Sequence, residues 1–395
     1  MYIKSMRDFK LQQKLFCFAL CFIFISCSED VEGIVAGSSS SAADCTANYK
    51  KVDYSFAREV NKSLGRGINL GNGFDAGCSD NGVEPEGGWD NCWGNPIKEE
   101  YFSLLREAGF QSIRLPVRWN SRAADESPYK INASFMARVK DVVNQAINAG
   151  FPVIINIHHY NELISASGEK LTREREKFTE LWRQIADAFK GYSNDSLVFE
   201  LLNEPRASIL PTVLNSMAEI VWPVIRTTNP GRIIMINPSS WGHFTNMLTV
   251  QVPGNDNLVI LSGHYYFPHE FTHQGQSNYP NKGVSWGTET ERKKLVSDVE
   301  GTAEKLPCRF PDINGGSVPV NIGEFGTTSY AETPQDSRIA YHTALREYME
   351  KYDMSWHYWC LTGCSFDLYN KISGTWNNPV LESLIPKNPQ TPEEP

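Results

Sequence analysis

From residue 66 onward the chain repeats one pattern: a short apolar run, a loop, then an amphipathic helical stretch. The runs are "RGINLGN", "SIRLPV", "FPVIINIH", "LVFELLNE", "RIIMINPSS", "NLVILSGHYY", "VPVNIGEFG" and "MSWHYWCL". Most are rich in Val, Ile and Leu, the composition of strands covered on both faces. Helical spacers of this length force neighbouring strands to pair in parallel. The first spacer, "WGNPIKEEYFSLLREAGF", predicts a helix with Asn95 as N-cap, Pro96 at the first helical position and two glutamates in the first turn. Gly109 stops that helix and Gly150 stops the next. The connection before "NLVILSGHYY" is shorter and weaker, and a last helix begins near Pro379. Eight such units in roughly 330 residues predict a (β/α)₈ TIM barrel, in one domain over residues 53–387. A doubly wound open sheet is the competing architecture. It would show a G-x-G-x-x-G turn after its first strand, and "INLGNGFDAG" has none.

The N-terminus reads as a targeting segment, residues 1–26. "MYIKSMRDFKLQQK" carries four cations and "LFCFALCFIFIS" is an apolar run too short to span a bilayer as a helix. It ends in Ile25-Ser26-Cys27, which resembles a bacterial lipobox with Cys27 as the acylated residue. An ordinary secretory signal cut a few residues later is the alternative. Residues 27–52 are polar, small and Ser-rich, as in a flexible tether, and residues 388–395 are a polar tail. Export to the outer membrane or cell surface through a lipid anchor is therefore expected, with periplasmic or secreted protein as the alternative.

The formal net charge is −9, and removing residues 1–26 takes away four cations and Asp8, leaving −12. An acidic body argues against nucleic acid, which selects a basic stripe. Ten tryptophans without basic charge suit a neutral, flat-faced ligand such as a sugar. A monomer is expected. Cys17 and Cys21 leave with the leader, and six cysteines remain besides Cys27. An even number in an exported chain favours disulfides. Cys78 with Cys92 and Cys360 with Cys364 are the local pairings, which leaves Cys45 for Cys308. No C-x-x-C or Cys/His cluster supports zinc.

A parallel barrel carries its functional groups at the C-terminal ends of its strands. Those positions hold Asn72, Arg114, Trp119, His158, His159, Asn203, Glu204, Trp241, His264, Tyr266, Glu324 and Trp359. Two carboxylates on opposed strands 4 and 7, with aromatics around them, suit a glycosidase that uses one carboxyl as nucleophile and one as acid/base. A metal reading of His158 and His159 is disfavoured, because adjacent strand residues point to opposite faces. His269 and His273 read as loop residues, and Trp182 and Trp222, within helices, as core. Trp286 lies beyond a strand end, where a sugar face can stack.

The ordered set "IRLPVRW", "VIINIHHY", "LLNEP", "HYYFP", "IGEFG" and "HYWCLTG" resembles glycoside hydrolase family 5, the large cellulase family. "GINLGN" and "WGNP" point to its subfamily 4. The resemblance runs from about Gly65 to the end of the barrel. It implies that Glu204 is the acid/base and Glu324 the nucleophile of a retaining endo-β-1,4-glucanase that needs no metal or cofactor. It further implies that Asn203 holds the sugar 2-hydroxyl, Arg114 keeps Glu324 ionised, Tyr266 orients it, His158 and His264 position substrate and acid, and Trp359 floors the cleaved sugar. The substrate expected is a plant cell-wall β-glucan, with xyloglucan, mixed-linkage glucan, xylan or mannan as variants. A non-catalytic surface glycan-binding lipoprotein is the reading from another class, and loss of either glutamate would have favoured it. Three features depart from the family pattern: a long cysteine-bearing loop after strand 1, Asp90 in place of a glutamate, and Cys360 after Trp359.

Overall fold

The computed structural model describes residues 47–77, 83–330 and 332–387. Cys27, Cys45, Cys78, the leader, most of the tether and the polar tail lie outside the described residues. Eight parallel strands close into a barrel in chain order. They are β1 (Arg66–Asn69), β2 (Ser112–Leu115), β3 (Val153–Asn156), β4 (Leu197–Glu200), β5 (Ile234–Ile236), β6 (Val259–His264), β7 (Val320–Phe325) and β8 (Ser355–Tyr358). Each corresponds to one of the eight apolar runs. Around them lie α1 (Ser55–Leu64), α2 (Glu100–Ala108), α3 (Ala133–Asn148), α4 (Gly168–Phe189), α5 (Pro211–Thr228), α6 (Glu289–Ala303), α7 (Gln335–Lys351) and α8 (Asn378–Leu384). The weak connection between β5 and β6 holds only short 3₁₀ turns, Phe244–Thr249 and Pro253–Asn255.

Local sequence explains most boundaries. Asn132 caps α3 by accepting from the N–H groups of Ser134 and Phe135. Thr288 and Glu291 form a reciprocal capping box on α6. Gly109, in the left-handed region, ends α2 as expected. The start of α2 differs from expectation, at Glu100 rather than after Asn95. The Asn95 side chain instead donates to the carbonyls of Gly71 and Thr362, at 3.0 and 2.8 Å, stitching the loops after β1 and β8 together. A tertiary bond has taken the side chain that the local pattern assigned to a cap. Asp90 does related work, accepting from the Ile97 N–H and from Arg138.

The barrel interior is layered. Ile154, Val198, Met235 and Ile260 form an apolar floor on the β3–β6 side, and Ala57, Val60 and Leu64 of α1 pack beneath them. On the other side Asn61 of α1 accepts from Ser355, which in turn accepts from Asn321. Helix α1 therefore plugs the N-terminal end of the barrel with an apolar half and a polar half. Sequence periodicity did not single this helix out. Above the floor sits a polar layer of Asn69, Arg114, Asn156, Glu200, Asn237 and Ser262, each at most 1% exposed. Arg114 spends all five of its N–H groups there. Two go to Glu200 (2.6 and 3.2 Å), two to Asn69 (2.9 Å) and Glu324 (2.7 Å), and one to Asn203 (2.7 Å). Asn237 and Ser262 complete the shell of Glu200.

Two stability predictions follow from these layers. Leu64→Ala opens a cavity under the apolar floor and should cost about 2–5 kcal/mol in denaturant unfolding. Glu200→Ala leaves two Arg114 donors without acceptors in a dry layer and should cost about 3–5 kcal/mol. An unfolding midpoint that Glu200→Ala leaves unchanged would show that water already reaches this layer.

Candidate active site

At the C-terminal mouth, several strands end in a residue with left-handed backbone. These are Asn72 (φ 61°) after β1, His159 (φ 52°) after β3, Glu204 (φ 46°) after β4, and Ser240 and Trp241 (φ 66° and 59°) after β5. Non-glycine residues adopt this region rarely, and functional sites concentrate them. The effect here is to break the alternation of the strand. His158 and His159 both reach the cleft, their rings 4.3 Å apart, which corrects the expectation of opposite faces. Asn203 and Glu204 likewise both line it. The loops after β4 and β5 are tied by a bond from the Trp241 N–H to the Pro205 carbonyl.

The cleft has a volume of about 570 Å³ and is lined by His158, His159, Asn203, Glu204, Trp241, His264, Tyr266, Glu324 and Trp359, among others. Glu204 and Glu324 meet across His264. Its Nδ1 is 3.0 Å from Glu204 Oε1 and 3.6 Å from Glu324 Oε2. One oxygen of each glutamate and one His264 nitrogen all lie within 4.8 Å of one another. Arg114 donates to Glu324 Oε1, and the Tyr266 hydroxyl donates to Oε2 at 3.1 Å. Both oxygens thus face donors, the arrangement that a carboxylate satisfies. Because Asn203 Oδ1 is held by Arg114, its Nδ2 is left to donate into the cleft. Trp359 lies parallel to His158 (centroids 5.8 Å apart, 3° between planes). Gly71 makes room for it, since a Cβ there would sit 2.6 Å from the indole. The expected Cys360–Cys364 disulfide pins the chain just after this ring. Cys92 and Cys308 are disulfide-bonded as well.

Charge is divided unevenly across the cluster. Burial pushes Glu324 up, His264 and Arg114 pull it down, and the charge of Glu204 leaves a net upward direction. Burial also pushes Glu204 up, but the hydrogen bond and charge of His264, with Arg206, outweigh it and the net direction is down. His264 is lowered by burial but raised more by the two carboxylates at its Nδ1. These directions favour a proton on His264 over one on Glu204, with the two groups one hydrogen bond apart. His158 and His159 stay neutral, chiefly through burial, His159 at about 4.

Two expected sugar contacts are corrected. Trp119 is fully buried, edge-on to Phe135, with its N–H spent on the Asn156 carbonyl at 2.9 Å. Trp286 is 5% exposed and packs edge-on against Tyr341. Both are core. Asn72 binds the Gly363 carbonyl at 2.8 Å and holds loops together. Trp182 and Trp222 are core, as expected. His269 and His273, expected to be plain loop residues, line the cleft, His269 stacked on Tyr279. Sequence reasoning also missed Glu200, whose signal was a carboxylate at an inward position of an otherwise apolar strand. It missed Trp93 too, which is 49% exposed with its ring 6.4 Å from His159.

Among the described residues, three groups carry metal-ligand side chains close together: Glu204–His264–Glu324, Asp75–His158–His159 and Cys360–Cys364–Asp367. The sulfurs of the last are joined in the disulfide. In the second, the Asn156 amide nitrogen lies 3.1 Å from His158 Nδ1.

The Cellulase (glycosyl hydrolase family 5) sequence profile matches residues 77–365. Endoglucanase H of Acetivibrio thermocellus is 29% identical over 338 residues, which cover 84% of this chain and 34% of that protein. Endoglucanase A of Clostridium longisporum is 32% identical over 310 residues, 74% of this chain and 57% of that protein. The chain thus spans about a third of the first relative and under two thirds of the second. The crystal structure of endoglucanase Cel5A from Thermotoga maritima superposes with a TM-score of 0.72 at 35% identity, over 84% of this chain and all of that one. With the barrel, the paired glutamates and the ordered strand-end motifs, these matches establish that the chain belongs to glycosyl hydrolase family 5, the cellulase family.

Proposed function

We propose that the chain is an endo-acting β-glycanase that cleaves β-1,4-glucan backbones with retention of configuration, Glu324 attacking the anomeric carbon and Glu204 acting as acid and then base. The carrying observation is the spacing of the pair. Retaining enzymes hold their carboxyl groups about 5–5.5 Å apart and inverting ones about 6.5–9.5 Å, to leave room for a water. Oxygens of Glu204 and Glu324 within 4.8 Å of each other fit the first class. Arg114 and Tyr266 aim a Glu324 oxygen, and Asn203 offers Nδ2 to the sugar 2-hydroxyl, a bond that strengthens as charge develops on the ring. When a glycosidic oxygen approaches Glu204, the proton on His264 can pass to Glu204 along their 3.0 Å contact. Esterification of Glu324 then removes its charge, and Glu204 accepts the proton of the incoming water.

Cellulose-type glucan, mixed-linkage glucan and xyloglucan are the first substrates to try. Thermotoga maritima Cel5A, whose structures are described in complex with cellobiose and with mannotriose, supports testing mannan on this scaffold, and xylan completes the panel. A structure described as a GH5 subfamily 4 endo-β-1,4-glucanase from Bacillus licheniformis (TM-score 0.70, 27% identity) supports the subfamily reading. Export and acylation at Cys27 would place the enzyme on a membrane surface. Wild-type protein should partition with membranes and Cys27→Ala should not, as fractionation of the native host would show.

Two measurements test the mechanism and a third the substrate. With an activated β-aryl glycoside, Glu204→Ala should form the glycosyl-enzyme and release a β-glycosyl azide in the presence of azide, whereas Glu324→Ala should give the α-azide. Exchanged stereochemistry would reverse the two roles, and inversion by the wild type would exclude a retaining pair. In His264→Asn, Glu204 must hold alone a proton that the pair holds to higher pH. The basic limb of kcat/KM should therefore move to lower pH, with the rate falling about a hundredfold. A basic limb that stays in place would remove His264 from the proton path. Reducing-sugar release from glucan, xyloglucan, xylan and mannan ranks the substrates.

A further inference from the structure

We propose that Asp75 is a positioning residue that fixes the tautomer of His159, so that His159 accepts a hydrogen bond from a sugar hydroxyl beside the catalytic pair; this rests on the reading of the cleft as a glycan site. Asp75 follows β1 and is 0% exposed. Neither of its carboxylate oxygens has a hydrogen-bond partner among the described residues. The N–H groups of Asn72, Asp75 and Gly73 lower its pKa from nearby without meeting hydrogen-bond geometry, and burial wins, raising it to about 7. A buried carboxyl left unpaired is costly, because it has given up its water without gaining a partner. Asp75 Oδ2 lies 3.8 Å from His159 Nε2, too long for a hydrogen bond. A modest turn of either side chain would bring the two atoms within hydrogen-bond reach.

Above its pKa of about 7 Asp75 is a carboxylate and can only accept, so in that pH range, to which the proposal applies, His159 carries its proton on Nε2 and Nδ1 becomes a bare lone pair. His159 is neutral and lines the cleft next to His158. It thus becomes an acceptor for a sugar O–H, while Asn203 nearby supplies a donor. A glucan unit, whose hydroxyls both donate and accept, is matched by one group of each kind.

The test is a double-mutant cycle read together with the His159 tautomer. By ¹⁵N NMR, wild-type His159 should hold the Nε2–H form when an unhydrolysed oligosaccharide is bound to Glu324→Gln protein. Asp75→Ala should raise KM on the preferred glucan about tenfold or more, the loss typical of removing a group that orients another, with kcat changed much less. His159→Ala should raise KM similarly, and adding Asp75→Ala to it should cost nothing further. If Asp75→Ala does not fold, Asp75→Leu takes its place, filling the buried space without offering an acceptor. An Nδ1–H tautomer in the complex, or additive KM effects of the two substitutions, overturns the proposal. Wild-type protein that hydrolyses no β-glycan at all would instead overturn the function on which it rests, so the two failures are told apart.

Discussion

One buried guanidinium organises this protein. Arg114 sits where the apolar floor of the barrel gives way to the chemistry above it, and each of its five N–H groups is matched by an acceptor on β1, β4, β7 or the β4 loop. A charge buried at 0% exposure survives only with such satisfaction. Glu200 neutralises it from below and Glu324 from above. The planar fork also sets direction, since the same ion that holds three strands in register aims one oxygen of Glu324 and the amide of Asn203. Lysine has the charge but not the fork, and cannot make this set of bonds.

The fork explains why barrel and site are hard to separate. Removing Glu200, which touches no substrate, frees Arg114 to pull on Glu324. The charges tell the same story. Arg114, His264, Glu200, Glu204 and Glu324 lie in one contact network, so a change in the charge of one alters the proton affinity of the rest. A resting proton on His264 and a working proton on Glu204 are two states of one set of charges.

The architecture was legible because most strands announce themselves as short apolar runs and most of the helices between them by amphipathic spacing, helix α1 being the exception. The paired glutamates were legible because both stand at strand ends. What failed was direction and competition. The position of Trp119 and Trp286 near strand ends said nothing about which way the indole turns, and both turn inward. Asn95 has the chemistry of a cap, but two carbonyls from distant loops claim it. The left-handed residues at the mouth are not encoded by glycine, so the period-two rule was applied to His158 and His159 one residue too far. Glu200 was passed over because its strand reads as apolar. His269 and His273 reach the cleft at the two ends of a single helical turn, His269–Thr272, too short to show a periodic pattern.

Helix α1 closes the end of the barrel opposite the cleft, and Val52 just before it pairs with Pro311 and Ile313 ahead of β7. The barrel is thus closed at one end by residues that precede its first strand, and the paired glutamates are approached from the other. One short helix, met before any strand of the barrel has been laid down, therefore sets the direction from which a ligand reaches the site.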